Sequence, residues 1–262
     1  MQNEKSPYRV TAPGGETKVL VMDRKEGFPA TFALMATTAP HKVAIRVSGG
    51  CKGMSPGDKD EMLRYFADAF RGYRGMIWSG ATRQFTTHGG LDPMVTDVPG
   101  IIAAENPECV ALGSVPRTNY LRLVGESRLV LDGYGTGPNP SMRGILVVQN
   151  GADGKSEWDG DLDAAFGLME NLVSYGGFSR VGVIAWNGGP ITKDEVTRSM
   201  RNGWPTVVVK GSGRAADEIA AELEARDRSL EHPDRNPSVV VVDRANPGTL
   251  RDYLISSGFI IR

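Results

Sequence analysis

Two cysteines and three histidines are all that this 262-residue chain offers to thiol or soft-metal chemistry. Cys51 and Cys109 are too few for a disulfide framework or a cysteine zinc site. His41, His88 and His232 stand at no metal-ligand spacing, so no metal is expected. An excess of one charge is also missing: 30 Lys and Arg face 31 Asp and Glu, a formal net charge of −1. That balance argues against a non-specific nucleic-acid binder. No apolar run approaches the length of a membrane span, and "MQNEKSPYRV" lacks the basic-then-apolar pattern of a leader. The sequence therefore predicts a soluble, cytoplasmic protein with neither a membrane nor a nucleic-acid partner.

Glycine, by contrast, is abundant: 33 of 262 residues, where about 7% is usual. Most glycines stand at the ends of apolar segments, as expected of tight strand-to-helix turns or of backbone approaching a ligand. The first forty residues read as short strands, "YRVTA", "TKVLVM" and "TFALMATT", and predict an antiparallel β appendage over residues 1–41. From Lys42 the rhythm changes to strand, glycine-rich loop, helix. Asp58 and Glu61 suggest a capping box opening a helix to about Arg71, with Met62, Leu63, Phe66 and Phe70 on one face. "GMIWSG", "CVALGS", "SRLVLD" and "GILVVQN" read as strands, and "DVPGIIAAEN" as a short helix. A helix over Asp161–Tyr175 carries Leu162, Phe166, Met169 and Val173 at spacings of three and four. "RVGVIAW", "PTVVV" and "SVVVVD" are continuous apolar runs suited to strands buried on both faces of a parallel sheet. "ARDRSLEHPDRNP" reads as a charged surface loop. The order predicts one doubly wound α/β domain over residues 1–262, its core at 42–262, with ligands at the carboxyl ends of the strands.

Four strand ends carry the chemistry. Gly211-Ser212-Gly213-Arg214 follows a strand and opens a helix, leaving backbone N–H groups bare at a positive helix terminus that favours an anion such as phosphate. Arg214 adds a planar fork for bidentate phosphate contact. With Ala216 the string also fits G-x-G-x-x-A, and Asp243 ends the next strand. The plainer alternative is a tight turn with Arg214 in solvent. Asn187-Gly188-Gly189 ends a second strand, where the glycines suit close approach to a ligand; Thr192 and Glu195 equally suit a capping box with no further role. "WSGATRQ" offers Ser79, Gly80, Thr82 and Arg83, and "VSGGCKG" offers Ser48, Gly49 and Gly50. Together these loops can line one crevice. Arg117 follows another strand end and either joins the pocket or bridges to the next element. Gly53-Met54-Ser55-Pro56-Gly57 matches G-x-S-x-G, but Pro56 before a capped helix is an ordinary entry turn, and no serine triad is supported. Trp186 either flanks a base or fills the core, and burial is the commoner role.

"GSGRAAD" resembles the glycine-serine-glycine-arginine-x-alanine-aspartate motif in the cytosolic N-terminal region of melastatin-type TRP channels. The order "VSGG", "WSGATRQ", "WNGGP", "KGSGRAAD", from about Val43 to Leu223, resembles prokaryotic stand-alone relatives of that region in the SLOG superfamily. The resemblance implies a Rossmann-like α/β fold and a sensor or processor of nucleotides, with ADP-ribose as the ligand of some channel versions. More distantly, "NGGPITKDE" is similar to the P-G-G-x-G-T-x-x-E motif of lonely-guy nucleotide phosphoribohydrolases. Gly188, Gly189, Thr192 and Glu195 match it, while Asn187 replaces proline and Ile191 the third glycine. That likeness implies Glu195 as a catalytic residue for cleaving an N-glycosidic bond.

Two functions follow as expectations. The first is binding of an NAD-derived nucleotide, ADP-ribose-like, by Ser48, Gly49, Gly50, Ser79, Gly80, Thr82, Arg83, Arg117, Asn187, Gly188, Gly189, Gly211, Ser212, Gly213 and Arg214. The second is nucleotide N-glycosidic hydrolysis through Glu195. A nicotinamide-dependent oxidoreductase, suggested by G-x-G-x-x-A, lacks an evident acid or base for hydride transfer. No cofactor beyond the small-molecule nucleotide is expected, and assembly as a homo-oligomer is compatible with this sequence.

Overall fold

The computed structural model describes residues 8–12, 15–23, 30–85, 91–116, 135–138, 142–149, 157–228 and 238–261. Its strands are β1 (Tyr8–Ala12), β2 (Gly15–Asp23), β3 (Val43–Gly50), β4 (Met76–Gly80), β5 (Thr82–Phe85), β6 (Leu91–Asp92), β7 (Val110–Pro116), β8 (Gly135–Pro138), β9 (Gly144–Gln149), β10 (Arg180–Asn187), β11 (Thr206–Lys210) and β12 (Val239–Asp243). The helices are α1 (Ala30–Ala36), α2 (Pro56–Ala69), α3 (Val98–Glu105), α4 (Glu157–Ser174), α5 (Pro190–Arg201), α6 (Arg214–Arg228) and α7 (Pro247–Ser256), with a 3-10 turn at Val95–Asp97 leading into α3.

Nine strands form the main sheet in the order β1-β2-β9-β7-β4-β3-β10-β11-β12. Only the β1–β2 pair is antiparallel; every pairing from β2 across to β12 is parallel. The chain starts the parallel core at β3, winds outward through β4, β7 and β9, then returns to the other side of β3 for β10, β11 and β12. This is a doubly wound, Rossmann-like α/β arrangement. Its reversal of winding falls between β3 and β10, where adjacent loops leave in opposite directions and open a crevice.

Both faces of the sheet are covered, which is why its strands are apolar without alternation. On one face, Val43, Ile45, Val47, Ile184 and Trp186 pack against Met62 and Phe66 of α2, Ile102 of α3 and Leu254 of α7. On the other, Ala44, Trp78 and Val183 meet α1 and α4, while Ala185 and Val208 meet Val196 of α5 and Ala216 and Ile219 of α6. Among the described residues, no helix is long and apolar enough to cross a membrane.

Several local expectations change. "TFALMATT" contributes α1 and not a third appendage strand: Ala, Leu and Met are strong helix formers, and Met35 and Ala36 bury one face while Leu34 is 64% exposed. β2 also joins the main sheet, parallel to β9. The box that opens α2 is Ser55 with Asp58, not Asp58 with Glu61, because Pro56 fixes the first helical position. α4 begins at Glu157; Leu172, not Val173, takes the inward position, and Val173 is exposed. Thr82 and Arg83 lie not in a loop but on β5, in a small antiparallel sheet ordered β6-β5-β8. "SRLVLD" and Arg117 lie outside the described residues, as does the charged stretch beyond Arg228 up to residue 237.

Glycine inside β10 has a packing cause. A Cβ on Gly182 would stand 2.8 Å from the Pro205 carbonyl oxygen and 2.9 Å from the Phe259 ring. That carbonyl accepts the Val183 N–H, so it cannot move away freely. Gly182→Ala is expected to destabilise by about 1–3 kcal/mol through overpacking. Gly57→Ala, in the first turn of α2 where a Cβ would stand 3.8 Å from the Ser55 hydroxyl, is expected to be neutral or to stabilise by about 0.4–1 kcal/mol. Urea unfolding of the two variants checks both signs.

Candidate functional site

The crevice between β3 and β10 is built by backbone approaching backbone. Trp186 and Asn187 lie in register with Gly49 and Gly50. A Cβ at Gly49 would overlap the Trp186 carbonyl oxygen, so the two strand ends meet this closely only because residue 49 is glycine. Beyond β10, Gly188 adopts φ +83 with the Thr192 side chain against it. The Thr192 hydroxyl accepts the Gly189 N–H at 3.4 Å and so closes the entry to α5.

The loop after β11 is fastened to that turn. The Ser212 hydroxyl accepts the Asn187 N–H at 2.8 Å and donates to the Val209 carbonyl at 2.6 Å. The Arg214 guanidinium reaches across to Gly189: one terminal nitrogen stands 3.1 Å from where a Cβ on that glycine would be. Asn187 and Arg214 are the only non-glycine residues with positive φ among the described residues, at +52 and +43. Such conformations carry strain of order 1–3 kcal/mol and cluster at functional sites.

The bare N–H groups sit one step further along than the sequence implied. The Gly211 N–H is taken by the Asp217 carboxylate at 2.6 Å, and the Ser212 N–H points to the Val209 carbonyl at 3.4 Å. The N–H groups of Gly213, Arg214, Ala215 and Ala216 have no acceptor among the described residues. They are the orphan donors of the α6 N-terminus, directed where helix dipole and guanidinium both favour an anion.

Three of the four loops thus converge directly: residues 48–50, 187–189 and 211–214. Ser79 and Gly80 end β4, on the far side of β3. The Ser79 hydroxyl donates to the Val47 carbonyl at 3.0 Å, and Gly80 is packed against the Thr96 side chain. Thr82 continues into β5, where its carbonyl accepts from the Thr96 hydroxyl. Arg83 lies on the same strand; its side chain falls outside what is described. Trp186 fills the core against Tyr65 and Phe66. Asp243 accepts the Ala245 N–H at 2.8 Å and shapes the turn into α7.

Glu195 does not form a capping box with Thr192, because α5 already begins at Pro190 and Thr192 is its third residue. One turn further in, Glu195 faces the sheet at 2% exposure. There its Oε1 accepts from Arg46 of β3, from Nε at 2.9 Å and from a terminal nitrogen. Arg46, missed by the sequence reading, looks in sequence like an intruder in an apolar strand; its partner is 149 residues away. A second arginine missed from the sequence, Arg244, follows β12. It bonds Asp58 at 2.7 Å and both oxygens of Glu61, stands 5.9 Å from the Trp186 ring centre, and reaches the Gly211 carbonyl at 3.4 Å. It ties the β11 loop to the start of α2.

Two measurements follow. Glu195→Ala removes the buried carboxylate that accepts two bonds from Arg46 and is expected to cost about 3–5 kcal/mol, well above the ~1 kcal/mol of a lost cap. Joint replacement of Arg46 and Glu195 by apolar residues of similar volume recovers most of that loss. Asp58 is held at about 2, below its ordinary 3.8, first by hydrogen bonds from Ser55 and then by Arg244. A depressed carboxyl stabilises above its unfolded value and loses that contribution as pH falls through its folded value. Stability is therefore expected to drop between about pH 4 and pH 2, and less steeply in Arg244→Ala, by denaturant titration across that range.

No curated protein matches this chain. Residues 144–250 match the family model described as SLOG in TRPM, prokaryote. The matched stretch runs from β9 into α7 and contains both convergent loops, 187–189 and 211–214. Over that segment, less than half of its length, the chain is similar to the SLOG family of the prokaryotic TRPM-like type.

Proposed function

We propose that this protein binds an NAD-derived or related nucleotide, with ADP-ribose as the model ligand, at the crevice between β3 and β10. Similarity of residues 144–250 to the SLOG family model supports a ligand-binding or processing role in general terms. One observation carries the finer reading: Arg214 lies across Gly189 beside the four unpaired N–H groups that open α6. A phosphate placed there gains oriented donors, the helix dipole and a planar cation at once. Gly211, Ser212 and Gly213 shape that cradle, while Asn187, Gly188 and Gly189 wall it. Ser48, Gly49 and Gly50 form its floor on the β3 side, with Ser79, Gly80, Thr82 and Arg83 available to a second phosphate or a ribose beyond.

No catalytic step through Glu195 is part of this reading. A carboxylate that is buried and bonded to an arginine braces α5 against the sheet and is poorly placed to act as a base.

Calorimetric titration with ADP-ribose tests the assignment. Arg214→Ala is expected to weaken binding by roughly 1.5–3 kcal/mol, the range for a hydrogen bond to a charged group. Arg214→Lys keeps the charge but loses the fork, and falls between the two. Without ligand, both variants melt near the wild type, since the Arg214 side chain is exposed. Wild-type affinity in Arg214→Ala would remove this residue from the site, and no heat with wild type would remove the ligand class.

A further inference from the structure

Among the described residues, the polar side-chain atoms buried with no hydrogen-bond partner include the Ser48 hydroxyl near the end of β3 and the Asn187 amide oxygen at the end of β10. Asn187 is 1% exposed and also holds one of the two positive φ angles outside glycine among the described residues. An orphaned acceptor and a strained backbone at the same residue both oppose folding. The amide is oriented by its nitrogen, which donates to the Lys52 carbonyl at 3.3 Å. Its oxygen consequently faces the start of α6, standing 3.3 Å from where a Cβ on Gly213 would be, with Cγ behind it at 3.6 Å. The oxygen is thus the atom aimed at the cradle, beside the first of the free N–H groups.

We propose that Asn187 Oδ1 accepts a hydrogen bond from a ribose hydroxyl of the bound nucleotide, which makes the site selective for ribose over deoxyribose. This rests on the nucleotide reading above and names the group that reading leaves unassigned. A carboxamide oxygen accepts only, so its partner on the ligand must be a donor. Next to a nucleotide phosphate the nearest donors are sugar hydroxyls; the amino groups of a base lie beyond the sugar.

The test compares ADP-ribose with two analogues, each lacking the 2- and 3-hydroxyls of one of its two riboses. Affinities are measured by calorimetry for wild type, Asn187→Gly and Arg214→Ala. Glycine suits the positive φ at position 187, so this change removes the amide without straining the turn. Wild type is expected to bind one analogue about tenfold more weakly than ADP-ribose, the loss of one buried hydrogen bond. Asn187→Gly is expected to bind that analogue and ADP-ribose alike, whereas Arg214→Ala weakens all ligands and keeps the ratio. Should Asn187→Gly not fold, Asn187→Ala takes its place and is read in the same way. Equal binding of all three ligands by wild type, or an unchanged ratio in the Asn187 variant, overturns the hydroxyl assignment and leaves nucleotide binding standing. Absence of binding by wild type to any of the three overturns both.

Discussion

One hydroxyl holds the site in shape. Ser212 accepts from the backbone of Asn187 and donates to the backbone of Val209, so the end of β10 and the turn after β11 move as one piece. Parallel strands at a reversal of winding have loops that separate; that separation makes the crevice and also threatens its rigidity. A buried bond between the two loops on the same side of the crevice fixes Asn187 in its left-handed conformation. It also sets Gly213 opposite the Asn187 amide and brings Arg214 over Gly189. Remove that link and the start of α6, with its donors and Arg214, loses its bond to the end of β10.

Two arginines brace the same region from outside. Arg46 and Glu195 lock α5 onto β3 beneath the crevice, and Arg244 locks the β11 loop to the first turn of α2. The first pair is buried, where its attraction is offset by lost hydration, so its value lies in fixing one arrangement and it costs most when half removed. The second is partly exposed, where carboxylates stay ionised to low pH and solvent screens the attraction. Both act by positioning backbone, which suits a site whose donors are largely backbone N–H groups.

The alternation of apolar runs, glycine turns and helices was enough to read the doubly wound sheet, because strands buried on both faces leave an uninterrupted apolar signature. What escaped was set by contacts distant in sequence. Arg46 appears as a charge in an apolar strand until Glu195 is brought to it. "TFALMATT" carries both strand-like and helix-like residues, and burial of Met35 and Ala36 decides for the helix. The convergence of 187–189 with 211–214 was legible as two glycine turns after neighbouring strands. The Thr192–Glu195 spacing fitted a cap, yet Pro190 starts the helix earlier and turns Glu195 inward. A spacing rule cannot see where the helix begins.

"GSGRAAD" divides unequally between architecture and ligand. Gly211 supplies φ +82 and Gly213 φ +108, conformations that other residues rarely adopt. Ser212 is consumed by the two backbone bonds that join the loops. Ala215 and Ala216 are buried in the first turn of α6, and Asp217 accepts the Gly211 N–H. Of the motif's five side chains only Arg214 is exposed, and it stands on a backbone strained enough that a glycine would sit there more easily. An arginine at such a position works against its own conformational preference. The motif therefore specifies a cradle of N–H groups plus one cation. Identity of the ligand must come from residues outside it, and on the proposed reading the orphaned oxygen of Asn187, on the adjoining strand, provides it.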